Sequence, residues 1–142
     1  MRNQNDLLLG VVGLAGGAML IRQMLAPRYS FRGKVVVITG GARGLGLVMA
    51  RQLAREGARL VIVSRTAEQL RRAHDELQSL GAEVMAFTCD VTDRIDCISL
   101  IDQTLHAWGH IDVLINNAGM IRVGPVETME VDDYREAMDV HF

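Results

Sequence analysis

The most constraining feature of this chain is a run of β-branched residues, Val35–Thr39, that breaks directly into a glycine-rich turn over residues 40–46. After the turn, Val48, Met49 and Leu53 recur at helical spacing. A continuous apolar run has no polar face, so it suits a strand covered on both sides. Glycine lets the following backbone turn sharply and leaves no Cβ in the way of a close ligand. A helix opening there offers free N–H groups and the positive end of its dipole to an anion.

The same alternation continues down the chain. Residues 60–63 read as a second strand. Thr66 and Gln69 fit a capping box, opening a helix with Leu70, Ala73, Leu77 and Leu80 on one face and Gly81 as its stop. Residues 84–88 read as a third strand. Ile98, Ile101, Leu105 and Trp108 mark the next helical face, which Gly109 ends. Residues 111–115 form a fourth strand, and Val131, Tyr134, Met138 and His141 begin a fourth amphipathic helix. The connections are too long for hairpins, so the strands are expected to be parallel and joined by right-handed crossovers. The fold class is α/β: a Rossmann-type, doubly wound parallel sheet, incomplete at about four strands.

Composition narrows the function classes. The chain has 142 residues, 49% hydrophobic and 23% charged, with 14 Gly and 2 Pro, so it can bury a core and is neither disordered nor collagen-like. Fifteen basic and seventeen acidic residues give a net charge of −2, which argues against a nucleic-acid partner. Cys89 and Cys97 follow no metal or disulfide-rich pattern and read as reduced, packed thiols. His74, His106, His110 and His141 are too scattered for a zinc motif, so no metal is expected.

Ahead of this region, residues 7–21 form an uncharged run of fifteen, and extension to Leu25 gives nineteen positions interrupted by Arg22 and Gln23. A helix of that length would reach about 28 Å, close to a bilayer core. Its glycines at 10, 13, 16 and 17 suit close helix contact in a membrane. The favoured reading of residues 1–26 is a hydrophobic helix that anchors the chain to a membrane through residues 7–25. A cleaved signal peptide and a membrane-surface or self-associating helix are the alternatives. Arg22, Arg28, Arg32 and Lys34 follow the run, which places the next domain in the cytoplasm. Residues 27–33 are a linker, and residues 34–142 form the dinucleotide-binding domain.

The glycines at 40, 44 and 46 are spaced G-x-x-x-G-x-G, not G-x-G-x-x-G, and no Gly-Lys-Ser/Thr follows to make a P-loop. Thr39-Gly40-Gly41-Ala42-Arg43-Gly44-Leu45-Gly46 resembles the TGxxxGxG cofactor motif of classical short-chain dehydrogenases/reductases. Asp90-Val91 after the third strand is similar to that family's adenine-contacting Asp, and Asn116-Asn117-Ala118-Gly119 matches its NNAG motif. The resemblance covers about residues 32–142. It implies hydride transfer between a nicotinamide cofactor and a carbonyl or alcohol substrate. It also implies cofactor contacts from Thr39, Gly40, Arg43, Gly44, Leu45, Gly46, Ser64, Arg65, Asp90, Val91, Asn117, Ala118 and Gly119. Without the resemblance, Asp90 reads equally as a helix cap and the Asn pair as a turn.

The end of the second strand bears on cofactor choice, since a carboxylate there pairs with ribose hydroxyls and an Arg accepts a 2′-phosphate. Here Ser64-Arg65 supplies no acid, and Arg43 sits within the glycine loop. Either Arg alone could be a surface charge; their joint placement favours NADP(H) over NAD(H).

The family's catalytic groups are a Ser, a Tyr-x-x-x-Lys pair and a helix Asn. Tyr29 is followed four residues on by Gly33 and Tyr134 by Met138, and Lys34 is the sole lysine. His141, in Asp139-Val140-His141-Phe142, falls at the position of the family Asn and reads either as a relay residue or as a structural replacement. The family's Ser and Tyr-Lys come later in the fold, so this sequence reads as the N-terminal half of a longer enzyme. Alternatives are a noncatalytic NADP(H)-binding product and a truncated, inactive frame. A fourth strand left as an apolar edge would be covered by partnering with another copy.

Overall fold

The computed structural model describes residues 29–121 and 123–141. The expected hydrophobic helix and anchor over residues 1–26 lie outside them, as does the first part of the 27–33 linker. No described helix is long and apolar enough to cross a membrane.

The elements run β1 (Val35–Thr39), α1 (Gly44–Arg55), β2 (Arg59–Ser64), α2 (Ala67–Ser79), β3 (Val84–Thr88), α3 (Arg94–Trp108), β4 (Val113–Ile115), a single 3-10 turn (Val126–Thr128) and α4 (Val131–His141). The four strands form one sheet in the order β3-β2-β1-β4, every pair parallel. β1 is buried along its whole length, as its unbroken β-branched run requires.

The two-residue repeat of a strand divides the core between the two faces. Val36, Ile38, Leu60 and Ile62 pack with Ala50 and Leu53 of α1 and with Leu70, Ala73 and Leu77 of α2. Val35, Val37, Val61 and Val63 face the other way, onto Cys89, Leu100 and the flanking Phe87, Cys97 and Trp108. Helices thus cover both faces. The strand order places β1 centrally and brings the turns after β1, β2, β3 and β4 to one end of the sheet.

Four local expectations are corrected. Thr66 occupies the N-cap of α2 in an extended conformation, but its side chain makes no capping hydrogen bond. Thr66 and Gln69 both line the cleft described below. On α3 the buried stripe is Leu100 and Thr104, with Cys97 and Trp108 packed beside it, while Ile98 and Leu105 are exposed. Thr104 is hidden there because its hydroxyl donates to the Leu100 carbonyl at 2.8 Å, so a polar residue sits in an apolar stripe at little cost. β4 begins at Val113 and not at 111, because the Asp112 carboxylate takes the Val35 amide (2.9 Å) and the Lys34 ammonium (2.8 Å). Finally, the cap of α3 is Asp93, which accepts from the Ile95 and Asp96 amides; Asp90 is not a helix cap.

Candidate nucleotide cleft

The glycine turn is shaped by two residues in the left-handed region, Gly40 (φ 66°) and Gly44 (φ 53°), where a side chain is strained. Gly46 needs its hydrogen for a different reason. A Cβ there would overlap the Gly40 carbonyl and lie 2.7 Å from Asn117 Nδ2. The glycine loop and the Asn turn are therefore packed backbone to side chain.

Hydrogen bonds lock the same two segments together. Asn117 Nδ2 donates to the carbonyls of Thr39 (2.9 Å) and Gly40 (3.3 Å). Thr39 Oγ1 accepts the amides of Asn117 (3.0 Å) and Ala118 (2.9 Å). The four bonds cross between the ends of β1 and β4 and fix how far apart the two turns stand.

The result is a cleft of about 460 Å³ at the end of the sheet reached by the strand C-termini. Of the residues expected from sequence, Gly40, Arg43, Gly44, Leu45, Ser64, Arg65, Asp90, Val91, Asn117, Ala118 and Gly119 line it together. Thr39 and Gly46 stand behind the wall, the first as a hydrogen-bonding post and the second as the point of closest packing. His141 lies beside the cleft: its Nε2 is 3.3 Å from the Met120 carbonyl, and its ring rests on Gly119, where a Cβ would come within 2.8 Å of Cε1. Val63, Thr66, Gln69, Cys89 and Val140 also line the cleft, and sequence reasoning missed them. Thr66 was legible as the residue following Arg65, Cys89 and Val140 carried no signal beyond adjacency to Asp90 and His141, and Gln69 carried none.

The electrostatics favour an anion at one end. α1 opens onto the cleft with no acidic residue in its first turn, so its amides and dipole face the space unopposed. Arg43 is exposed and pairs with no acid among the described residues. Arg65 lies 3.7 Å from Asp90 Oδ2, with its side chain 64% exposed. Asp90 folds onto its own turn, Oδ1 accepting the Thr92 amide (3.0 Å) and hydroxyl (2.8 Å). Those two bonds first, and Arg65 after them, hold its carboxyl below the usual range. Oδ2 is left facing Arg65. The buried Cys89 thiol at the back of the cleft is pushed up to about 12, chiefly by burial and then by Cys97.

Residues 34–142 match the family described as short chain dehydrogenase. The chain is similar to 11-beta-hydroxysteroid dehydrogenase A of Sesamum indicum, at 39% identity over 112 residues, which cover 78% of this chain and 32% of that protein. Among solved structures, an NAD+-bound xylitol dehydrogenase superposes with TM-score 0.75 at 32% identity, covering 79% of this chain and 44% of that one. A metagenomic short-chain oxidoreductase in complex with NADP superposes with TM-score 0.71 at 35% identity, covering 79% and 51%. The chain thus spans about a third to a half of the length of these relatives. The order of its three motifs, the sheet that carries them and these matches agree: the chain belongs to the classical short-chain dehydrogenase/reductase family, whose N-terminal half residues 34–142 match.

Proposed function

We propose that this chain provides the NADP(H)-binding half of an oxidoreductase acting on a small carbonyl or alcohol substrate. The observation that carries the reading is the placement of Arg43 and Arg65 on one cleft whose floor is the glycine loop, with Ser64 where an acid would select a free ribose. The residues fit a dinucleotide: Gly44 has open space where a Cβ would stand, and the N-terminus of α1 faces that space. Gly40, Gly44, Leu45 and the α1 amides would hold the pyrophosphate. Asp90 and Val91 would flank the adenine, Ala118 and Gly119 would lie along the ribose, and Arg43 and Arg65 would clamp a 2′-phosphate. When bound, the nicotinamide supplies or accepts the hydride.

Thr39 and Asn117 position these groups and touch the cofactor indirectly. In the same proposal, His141 with Nε2 protonated donates to the Met120 carbonyl and ties α4 to the Asn turn. The family's Tyr-x-x-x-Lys is not among these 142 residues. These 142 residues by themselves are therefore expected to bind NADPH without reducing a carbonyl.

The test is calorimetric titration with both reduced cofactors. Two charge-assisted contacts on an exposed phosphate are expected to favour NADPH over NADH by about tenfold. Arg65→Asp should abolish that preference; an unchanged ratio would remove the two arginines from cofactor choice. Cytoplasmic anchoring through residues 7–25 belongs to the same proposal, and deleting residues 1–26 should move the product from the membrane fraction to the supernatant. Recovery of the undeleted chain in the supernatant without detergent contradicts the anchor.

A further inference from the structure

Two turns that carry opposite charges meet at one corner of the cleft. β2 and β3 pair in parallel with Ser64 opposite Thr88, and the Cys89 amide carries that ladder one step further, onto the Ser64 carbonyl at 3.2 Å. Arg65 and Asp90 therefore leave the sheet side by side, and both line the cleft. They are not equally free. Asp90 is fixed on its own turn: Oδ1 accepts the Thr92 amide (3.0 Å) and hydroxyl (2.8 Å), its amide donates to Asp96 Oδ2 (3.0 Å), and its carbonyl accepts the Asp93 amide (2.9 Å). Its second oxygen, Oδ2, lies 3.7 Å from Arg65 Nη1, an ion pair longer than a good hydrogen bond. The Arg65 side chain is 64% exposed and can swing where the carboxylate cannot.

We propose that Asp90 sets the strength of the cofactor preference by holding the Arg65 guanidinium in the empty cleft, so that a 2′-phosphate must win that group from it. The inference rests on the cofactor reading above and deepens it. A guanidinium fork grips a phosphate through two parallel hydrogen bonds, and in that grip it no longer faces the carboxylate. NADPH brings a phosphate that takes the fork and breaks the ion pair. NADH brings a hydroxyl in its place, which leaves Arg65 on Asp90. Loss of the pair thus counts against NADPH alone. An exposed ion pair changes an equilibrium constant only a few-fold, so Asp90 lowers the preference for NADPH by about threefold. Its role here is that of a positioning residue acting through Arg65. Whatever Asp90 contributes at the adenine is common to both cofactors and leaves their ratio untouched.

The test is calorimetric titration of the full chain with NADPH and with NADH, in four forms: unaltered, Asp90→Asn, Arg65→Met and the double variant. Asparagine keeps Oδ1 as the acceptor for Thr92 and removes the charge of Oδ2, so the turn is retained. Asp90→Asn should raise the ratio of NADPH to NADH affinity about threefold. Arg65→Met should lower that ratio, and adding Asp90→Asn to it should change the ratio no further. A ratio unchanged in Asp90→Asn overturns the proposal. So does a lower one, which would mean that Asp90 presents Arg65 to the phosphate. A rise that persists without Arg65 overturns it as well, because Asp90 would then be repelling the phosphate directly. If neither cofactor binds the unaltered chain, the cofactor reading fails and this inference with it. Binding of both with an unmoved ratio leaves that reading intact and removes only the role of Asp90.

Discussion

Gly44 and Gly46 belong to one motif, yet substitution should fail at them for different reasons and by different amounts. At Gly46 an alanine Cβ would overlap the Gly40 carbonyl oxygen and stand 2.7 Å from Asn117 Nδ2 and 2.9 Å from the Gly40 carbonyl carbon. All three neighbours lie inside ordinary van der Waals contact, and two of them are backbone of the left-handed turn at Gly40. Overpacking a site that cannot give costs about 3 kcal/mol, the upper end of the usual range. Displacing Asn117 from Gly40 adds about 1 kcal/mol. Alanine's better helix propensity at this α1 position returns about 1 kcal/mol, leaving a net loss of about 3 kcal/mol. At Gly44 nothing lies within 4 Å of the added Cβ, and only the positive φ is penalised. Gly44→Asn, which tolerates that region, should cost about 1 kcal/mol or less. Urea unfolding followed by far-UV circular dichroism measures both. A Gly46→Ala midpoint equal to or above that of Gly44→Asn would refute the packing argument.

The remaining predictions concern the supports of the cleft and the protonation of the fold. Asn117→Ala strips donors from the Thr39 and Gly40 carbonyls and should cost about 2 kcal/mol by the same unfolding assay, with Asn117→Asp no better because it cannot donate. The Lys34 ammonium first, and the Val35 amide next, hold the Asp112 carboxyl below its usual range. Its contribution is therefore present above the ordinary carboxylate value and is lost as pH falls through the depressed one. Asp112→Asn should flatten the acid limb of a stability–pH curve, and an unchanged limb would show that the pair is inert. Cys89 runs the other way, since its folded value is raised to about 12. Stability should decline as pH climbs from the ordinary thiol value of about 8.5 toward 12, and Cys89→Ala should remove that decline.

Much of this molecule is written in local pattern. β1 is readable because a strand buried on both faces must be apolar at every position, and the glycine loop because its backbone geometry excludes other residues. What escaped sequence reasoning depends on partners distant along the chain. The α3 face was assigned correctly at Trp108 but not at Ile98 and Leu105, because the buried hydroxyl of Thr104 is satisfied by its own helix, which no hydropathy pattern records. The start of β4 was misplaced because the Val35 amide, 77 positions earlier, is taken by the Asp112 carboxylate and not by a strand carbonyl, although the Asp112 amide still donates to the Val35 carbonyl. Thr66 and Gln69 fit a capping pattern, but Thr66 makes no side-chain cap bond, and both residues line the cleft, which only the assembled sheet defines. In the cleft, the wall residues followed from motif spacing. The clasp of Thr39 on Asn117 required the parallel pairing of β1 with β4.

One cleft, walled by the turns after β1, β2, β3 and β4, is proposed to receive an NADP(H) molecule. The most direct measurement is amide chemical-shift mapping of the 15N-labelled chain during titration with NADPH. The amides of Gly40, Gly44, Leu45, Arg65, Val91 and Ala118 should move together along one saturating curve, with Arg65 moving less when NADH replaces NADPH. Saturable shifts confined to other residues, or none at any of these six at millimolar NADPH, would show that this cleft is not the cofactor site.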